Sequence, residues 1–152
     1  VDDAMKAARA TLAVTPGLVE LITGMVPSLE KLGKKAEGDE LFGIGWSAYQ
    51  KVLTEFPDSP AARNGLAALS ANCRRELEKG LKYAREAVKA DPGSVTYRET
   101  LAEVLFRNGE REQAIEVLTA LKADDPRNPL YRRQLIRYRN GALDSPRPDT
   151  ED

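Results

Sequence analysis

Few residues in this sequence are suited to carrying chemistry. Histidine is absent, which removes the commonest general base, proton shuttle and metal ligand, and with it most hydrolytic mechanisms. The single cysteine, Cys73, is followed by Arg74 and Arg75. Two guanidinium groups stabilise a thiolate, but an alanine-rich helical segment is where cysteine serves as a small buried apolar residue. Packing is its expected role, and one cysteine makes neither an intrachain disulfide nor a cysteine-rich metal site. The carboxylates Glu110, Glu112 and Glu116 and the pair Asp124-Asp125 lack the spacing of a calcium loop or a glycosidase pair, and read as solvated helix faces. Gly43-Ile44-Gly45 is too short for a phosphate loop and no strand precedes it. Trp46 and Tyr49 fall on the apolar stripe of a helix, where packing is the expected role. No catalytic residue, metal site or cofactor is expected, and the chain reads as no enzyme.

Charge and composition narrow the partners. Lys and Arg number 23 against 24 Asp and Glu, a net charge of −1, so no basic field draws in nucleic acid or an anionic membrane. With 41% hydrophobic and 31% charged residues, the 152-residue chain has the makeup of a globular domain with a core. Its longest apolar region, 18–26, is broken by Glu20 and Gly24 and falls far short of the roughly 20 residues that span a bilayer. Val1-Asp2-Asp3 has no basic start and no apolar middle, so it does not open a signal peptide.

The elements follow from apolar periodicity. Ala4, Ala8 and Leu12 predict a helix over 3–14. Leu18, Leu21, Ile22, Met25, Leu29 and Leu32 predict another, ended by Gly33. Pro27 interrupts it, and because an internal proline costs about 3 kcal/mol, a kink or a restart at Pro27 is expected. From 34 to 56, Leu41, Phe42, Trp46, Tyr49, Leu53 and Phe56 keep helical spacing, predicting one long helix. Gly38, Gly43 and Gly45 each weaken it by roughly 1 kcal/mol relative to alanine, which implies close helix contact or fraying there. Further pairs are expected over 61–90 and 93–126. A last helix over 128–139 follows, with Asn128 as its cap, Pro129 at its first position and Tyr131, Leu135 and Tyr138 as its stripe. Its Arg132, Arg133, Arg137 and Arg139 suit a cap that turns a charged face to solvent. Residues 141–152 have nothing to bury and are expected to be disordered.

These pairs repeat. The helix-ending prolines Pro16, Pro57, Pro92 and Pro126 stand 41, 35 and 34 positions apart. Small residues and a glycine recur ahead of them, as Gly80, Ala84 and Ala87 and again as Gly109, Ala114 and Leu118. The pattern resembles the tetratricopeptide repeat. In the unit 93–126, Leu101-Ala102 stands for the family's Leu-Gly pair, Leu105 for its first-helix tyrosine, Gly109 for its turn glycine, Ala114 for its second-helix alanine and Leu118 for its aromatic, while Arg98 replaces its tryptophan. The 35-residue unit needs one extra turn residue near 75–77. The 41-residue unit holds seven extra residues, nearly two helical turns, so a lengthened second helix keeps its apolar face in register.

The resemblance implies an all-α, right-handed superhelical stack of antiparallel helix pairs, a single domain over 1–140. Its parts are a half repeat (3–15), an extended repeat (18–57), two further repeats (60–92 and 93–126) and a C-terminal capping helix (128–139). More repeats are expected upstream of the half repeat. Each amphipathic pair buries its leucines against the next, at roughly 1.5–3 kcal/mol per fully buried side chain. The resemblance also implies a non-enzymatic scaffold whose first helices line a concave groove for a peptide or partner protein. The groove positions would be Asn64, Ala68 and Asn72 in one repeat and Thr96, Glu99, Glu103, Phe106 and Arg107 in the next. The carboxylates of Glu99 and Glu103 disfavour a clamp for a chaperone's C-terminal carboxylate. The alternative is a structural segment that forms a homo-oligomer through its open repeat ends.

Overall fold

A computed structural model describes residues 1–148. Its described residues form eight α-helices and no strand: α1 (Asp2–Val14), α2 (Val19–Lys31), α3 (Lys35–Glu55), α4 (Pro60–Cys73), α5 (Leu77–Ala90), α6 (Val95–Arg107), α7 (Arg111–Asp124) and α8 (Pro129–Asn140). Each helix from α2 onward packs on the next, and α2 touches α4 as α4 touches α6. The result is an α-solenoid of helix pairs in which α2, α4 and α6 form one continuous layer.

Local chemistry sets the helix ends. The Ser59 hydroxyl accepts from the Ala62 amide at 3.2 Å ahead of Pro60, and the Ser94 hydroxyl accepts from the Tyr97 amide at 3.3 Å. Asn128 Oδ1 accepts from the Leu130 amide at 3.0 Å, with Pro129 at the first helical position. Gly33 (φ +74°) and Gly109 (φ +84°) end α2 and α6 in the left-handed region, where the Lys34 and Glu110 amides reach back to the Leu29 and Leu105 carbonyls. The turn between α4 and α5 has no glycine. Instead Arg74 (φ 55°) and Glu76 (φ 52°) both enter the left-handed region, which costs each of them roughly 1 kcal/mol. Glu30 pairs with Arg74 and, at 2.9 Å, with Arg75, anchoring this turn to α2.

Two expectations meet different outcomes. The helix α2 runs unbroken through Pro27 rather than restarting there. The missing amide of Pro27 leaves the Thr23 carbonyl without its intrahelical partner, a cost that the burial of Ile22, Val26 and Leu29 on the other side of the helix offsets. The helix α3 is continuous over 21 residues where α5 and α7 each have 14.

The buried side chains form two clusters. One gathers Met5, Leu12, Ile22, Leu41, Trp46, Leu66 and Leu69 from α1 to α4; the other gathers Leu81, Leu105, Phe106, Leu118, Tyr131 and Tyr138 from α5 to α8. Tyr83 borders both, with its ring edge-on to Trp46 at 6.1 Å. Trp46 and Cys73 are buried, and Tyr49 donates to the Gly17 carbonyl at 2.9 Å, so all three serve packing. Burial drives the Cys73 thiol up to about 12 despite the opposing pull of Arg75 and Arg74, so the thiolate that those arginines would favour does not form near neutrality.

Glycine allows the closest approach between helices. A Cβ on Gly80 would lie 2.1 Å from the hydroxyl of Ser70, itself fully buried, whereas one on Gly43 would meet nothing within 4 Å. Alanine is favoured over glycine within a helix by about 0.8–1 kcal/mol. We therefore expect Gly43→Ala to stabilise by about 0.5–1 kcal/mol. Gly80→Ala reverses that sign and destabilises by about 1–3 kcal/mol through overpacking. Urea denaturation midpoints of the two variants check the opposition.

Candidate functional site

The layer formed by α2, α4 and α6 borders a cavity of about 580 Å³. Thr23, Pro27, Glu30 and Lys31 line it from α2, Asn72 from α4 and Arg107 from α6. Arg74 closes one side, and residues 144–147 cross the opening through Asp144, Pro146 and Arg147. Helical spacing accounts for the α2 contribution: Thr23, Pro27 and Lys31 recur at intervals of four and share one face, while Ile22, Val26 and Leu29 point into the core. Four cationic side chains (Lys31, Arg74, Arg107 and Arg147) stand against two carboxylates (Glu30 and Asp144) in its lining. Arg107 is paired with Glu103 behind it and Arg74 with Glu30, which among the described residues leaves Lys31 as the unpaired cation of the α2 wall.

The expected groove residues separate into two groups. On α4, Asn64, Ala68 and Asn72 are half-buried along the layer. Asn72 donates to the Ala68 carbonyl at 2.8 Å, and the Asn64 Oδ1 has no hydrogen-bond partner in the structure. On α6, Thr96 is exposed and Glu99 accepts from the Tyr131 hydroxyl at 2.7 Å. Burial and that carboxylate push the Tyr131 phenol up to about 12.

The remaining positions need correction. Glu103 and Phe106 are buried, at 1% and 0% exposure, because α8 lies over the C-terminal half of α6. Phe106 stacks on Tyr138 with ring centroids 4.7 Å apart. Glu103 accepts from Arg107 Nε at 2.8 Å, from the Tyr138 hydroxyl at 3.0 Å and from Arg137 Nη2. Neither residue is open to a partner. Burial lowers the Arg107 pKa from its ordinary value, with the Glu103 carboxylate opposing that shift. The Tyr138 phenol is raised well above its usual value, first by burial and then by Glu103. Arg137 is likewise not on the outer face expected of α8: it is 8% exposed and its guanidinium sits 4.6 Å from the Phe106 ring centroid.

The segment after α8 also departs from expectation. Residues 149–152 of the expected disordered tail lie outside the described residues, but 141–148 are placed against the helices. Arg107 Nη1 donates to the Leu143 carbonyl at 2.6 Å and Arg111 Nη2 to that of Gly141 at 3.0 Å. Arg137 Nη1 donates to those of Ser145 and Pro146 at 3.1 and 3.4 Å. The segment buries little side-chain surface, which is why no apolar pattern announces it; buried arginines hold it by its backbone.

Among the described residues, no group of three His, Cys, Asp or Glu side chains is placed to hold a metal ion. Of the carboxylates that stood out in sequence, Glu110 pairs with Arg85 and Asp124 with Arg98, both at 2.8 Å. No helix of the described residues is long and apolar enough to cross a membrane.

Comparison with known proteins supports the repeat. Residues 74–135 match the tetratricopeptide repeat family, a span that takes in α5, α6, α7 and the first half of α8. A TPR repeat-containing thioredoxin from Arabidopsis thaliana is 39% identical over 67 residues, which are 43% of this chain and 10% of that protein. The matched stretch thus spans about a tenth of that relative's length. Residues 74–135 are thus similar to tetratricopeptide repeats, within a chain built throughout of stacked helix pairs.

Proposed function

We propose that the face of α2, α4 and α6 holds an extended, net acidic segment of a partner protein, and that the chain acts by binding alone. Tetratricopeptide repeats generally mediate interactions between proteins, and the cavity bordered by three successive first helices carries the reading to this face. Two polar groups support a ligand there: the Asn64 Oδ1 without a partner and the Thr23 carbonyl freed by Pro27. The unpaired Lys31 of the α2 wall sets the sign of the partner, because complementary charge governs both encounter and selectivity.

The test begins with a peptide selected by the full chain from a random library. Lys31→Glu, an exposed change in the cavity wall, is expected to weaken binding at least fivefold. Lys82→Glu, on the separate hollow lined by α5, is expected to leave binding unchanged, with both variants melting like the parent chain. Equal loss in the two variants, or loss in Lys82→Glu alone, would rule out this face.

A further inference from the structure

The protein's own C-terminal segment stands where the proposed partner would lie. It crosses the cavity mouth with Asp144, Pro146 and Arg147 in the lining, and it is held through its carbonyls by Arg107 and Arg137. This is how a groove takes an extended peptide: donors read the main chain, which every sequence presents, and side chains tune the fit. Within 141–148, Asp144 and Arg147 balance in charge. The sequence from 141 to 152 carries Asp144, Asp149, Glu151 and Asp152 against one basic residue, Arg147.

Its attachment is suited to release. Leu143 is 40% exposed, and Ala142, Asp144 and Pro146 are exposed as well. The segment makes one internal backbone bond, from the Ser145 amide to the Ala142 carbonyl at 2.9 Å. Segments with few buried apolar contacts open locally without unfolding the domain. The donors that hold it belong to α6, α7 and α8, and two of them, Arg107 and Arg137, are themselves fixed by Glu103, so those two stay in place when the segment leaves.

We infer that residues 141–147 are an intramolecular occupant of the groove, so that a partner segment binds only as this stretch detaches. The inference rests on the groove being the binding face, and it adds gating to that reading. The affinity of a partner is then reduced by the fraction of molecules whose groove is open.

Two measurements on the full chain test it. In the first, Asp144→Cys carries a nitroxide label; the native Cys73 is buried and escapes labelling. The docked segment is expected to broaden the amide resonances of Gly24 and Asn72 across the cavity, and their lack of broadening would overturn the inference without reference to any partner. In the second, a fluorescent peptide with the sequence of residues 141–152 is titrated into the wild-type chain and into a Leu143→Gly/Pro146→Gly variant, whose changes lie outside the helices. Binding at least tenfold tighter in the variant supports gating. Equal binding to both overturns the gating and leaves the groove standing as a peptide site. Binding to neither overturns the assignment of this segment as a groove ligand, while the library-selected peptide independently decides whether the groove binds at all.

Discussion

Glu103→Ala is expected to destabilise the protein by about 3–5 kcal/mol, the cost of leaving buried charges without their counter-ion. The carboxylate is 1% exposed and accepts from two arginines and a tyrosine. Removing it leaves Arg107 and Arg137, each 8% exposed, facing one another with no negative charge between them. Their cation–ring contacts with Phe106 at 5.9 and 4.6 Å are worth too little to offset that. For a chain of this length the loss corresponds to a fall in melting temperature of roughly 6–20 °C. Glu103→Gln keeps the shape and two acceptor lone pairs, so a smaller loss is expected. Urea unfolding of both variants checks the order, and a Glu103→Ala variant within 1 kcal/mol of the parent would contradict the buried cluster.

Phe106→Ala is expected to cost about 3–5 kcal/mol, the range for deleting a buried aromatic side chain. Its ring is fully buried, stacks on Tyr138 and is approached by the guanidinium groups of Arg107, Arg111 and Arg137. The cavity would open between α6 and α8, so amides of α8 are expected to exchange with solvent far faster than in the parent chain. Those of α2 and α3 should change little, because their core is a separate cluster bordered by Tyr83 and in a solenoid each repeat is supported by its neighbours. Phe106→Leu retains burial but loses the ring face; its smaller loss measures what stacking and the cations add. Uniformly faster exchange from α1 to α8 would contradict the division of the core.

Much of the architecture is legible in the sequence because its signals are local. Pro57, Pro92 and Pro126 mark turns, Gly109 marks a left-handed residue, Asn128-Pro129 marks a helix start, and the apolar spacing from Leu41 to Phe56 marks one long helix. Each depends on residues within a turn or two. Of the kink or restart that Pro27 signals, the restart does not occur, because helical propensity is weighed against burial, and the burial of Ile22, Val26 and Leu29 belongs to tertiary packing.

The candidate site is less legible for the same reason. The resemblance places Glu103 on the groove face of α6, where a charged residue reads as open to a partner. Its partner Arg137 is 34 positions away, on a helix whose own arginines read as an outer face. Asn72 and Arg107 were reachable from the repeat pattern. The Thr23, Pro27 and Lys31 stripe was reachable too, by applying the first-helix reading to α2. Residues 141–148 were not, since what holds them is a set of backbone carbonyls, which every sequence possesses.

We propose that the layer of α2, α4 and α6 is the face that binds a partner. The amide chemical-shift footprint of a library-selected peptide on the isotope-labelled full chain tests it most directly. The predicted footprint falls on Thr23, Lys31, Asn64 and Asn72, with resonances of residues 143–147 shifting as that segment is displaced. A footprint centred on the hollow of Glu78, Lys82 and Glu86 on α5, with the α2 and α4 resonances unmoved, would contradict it.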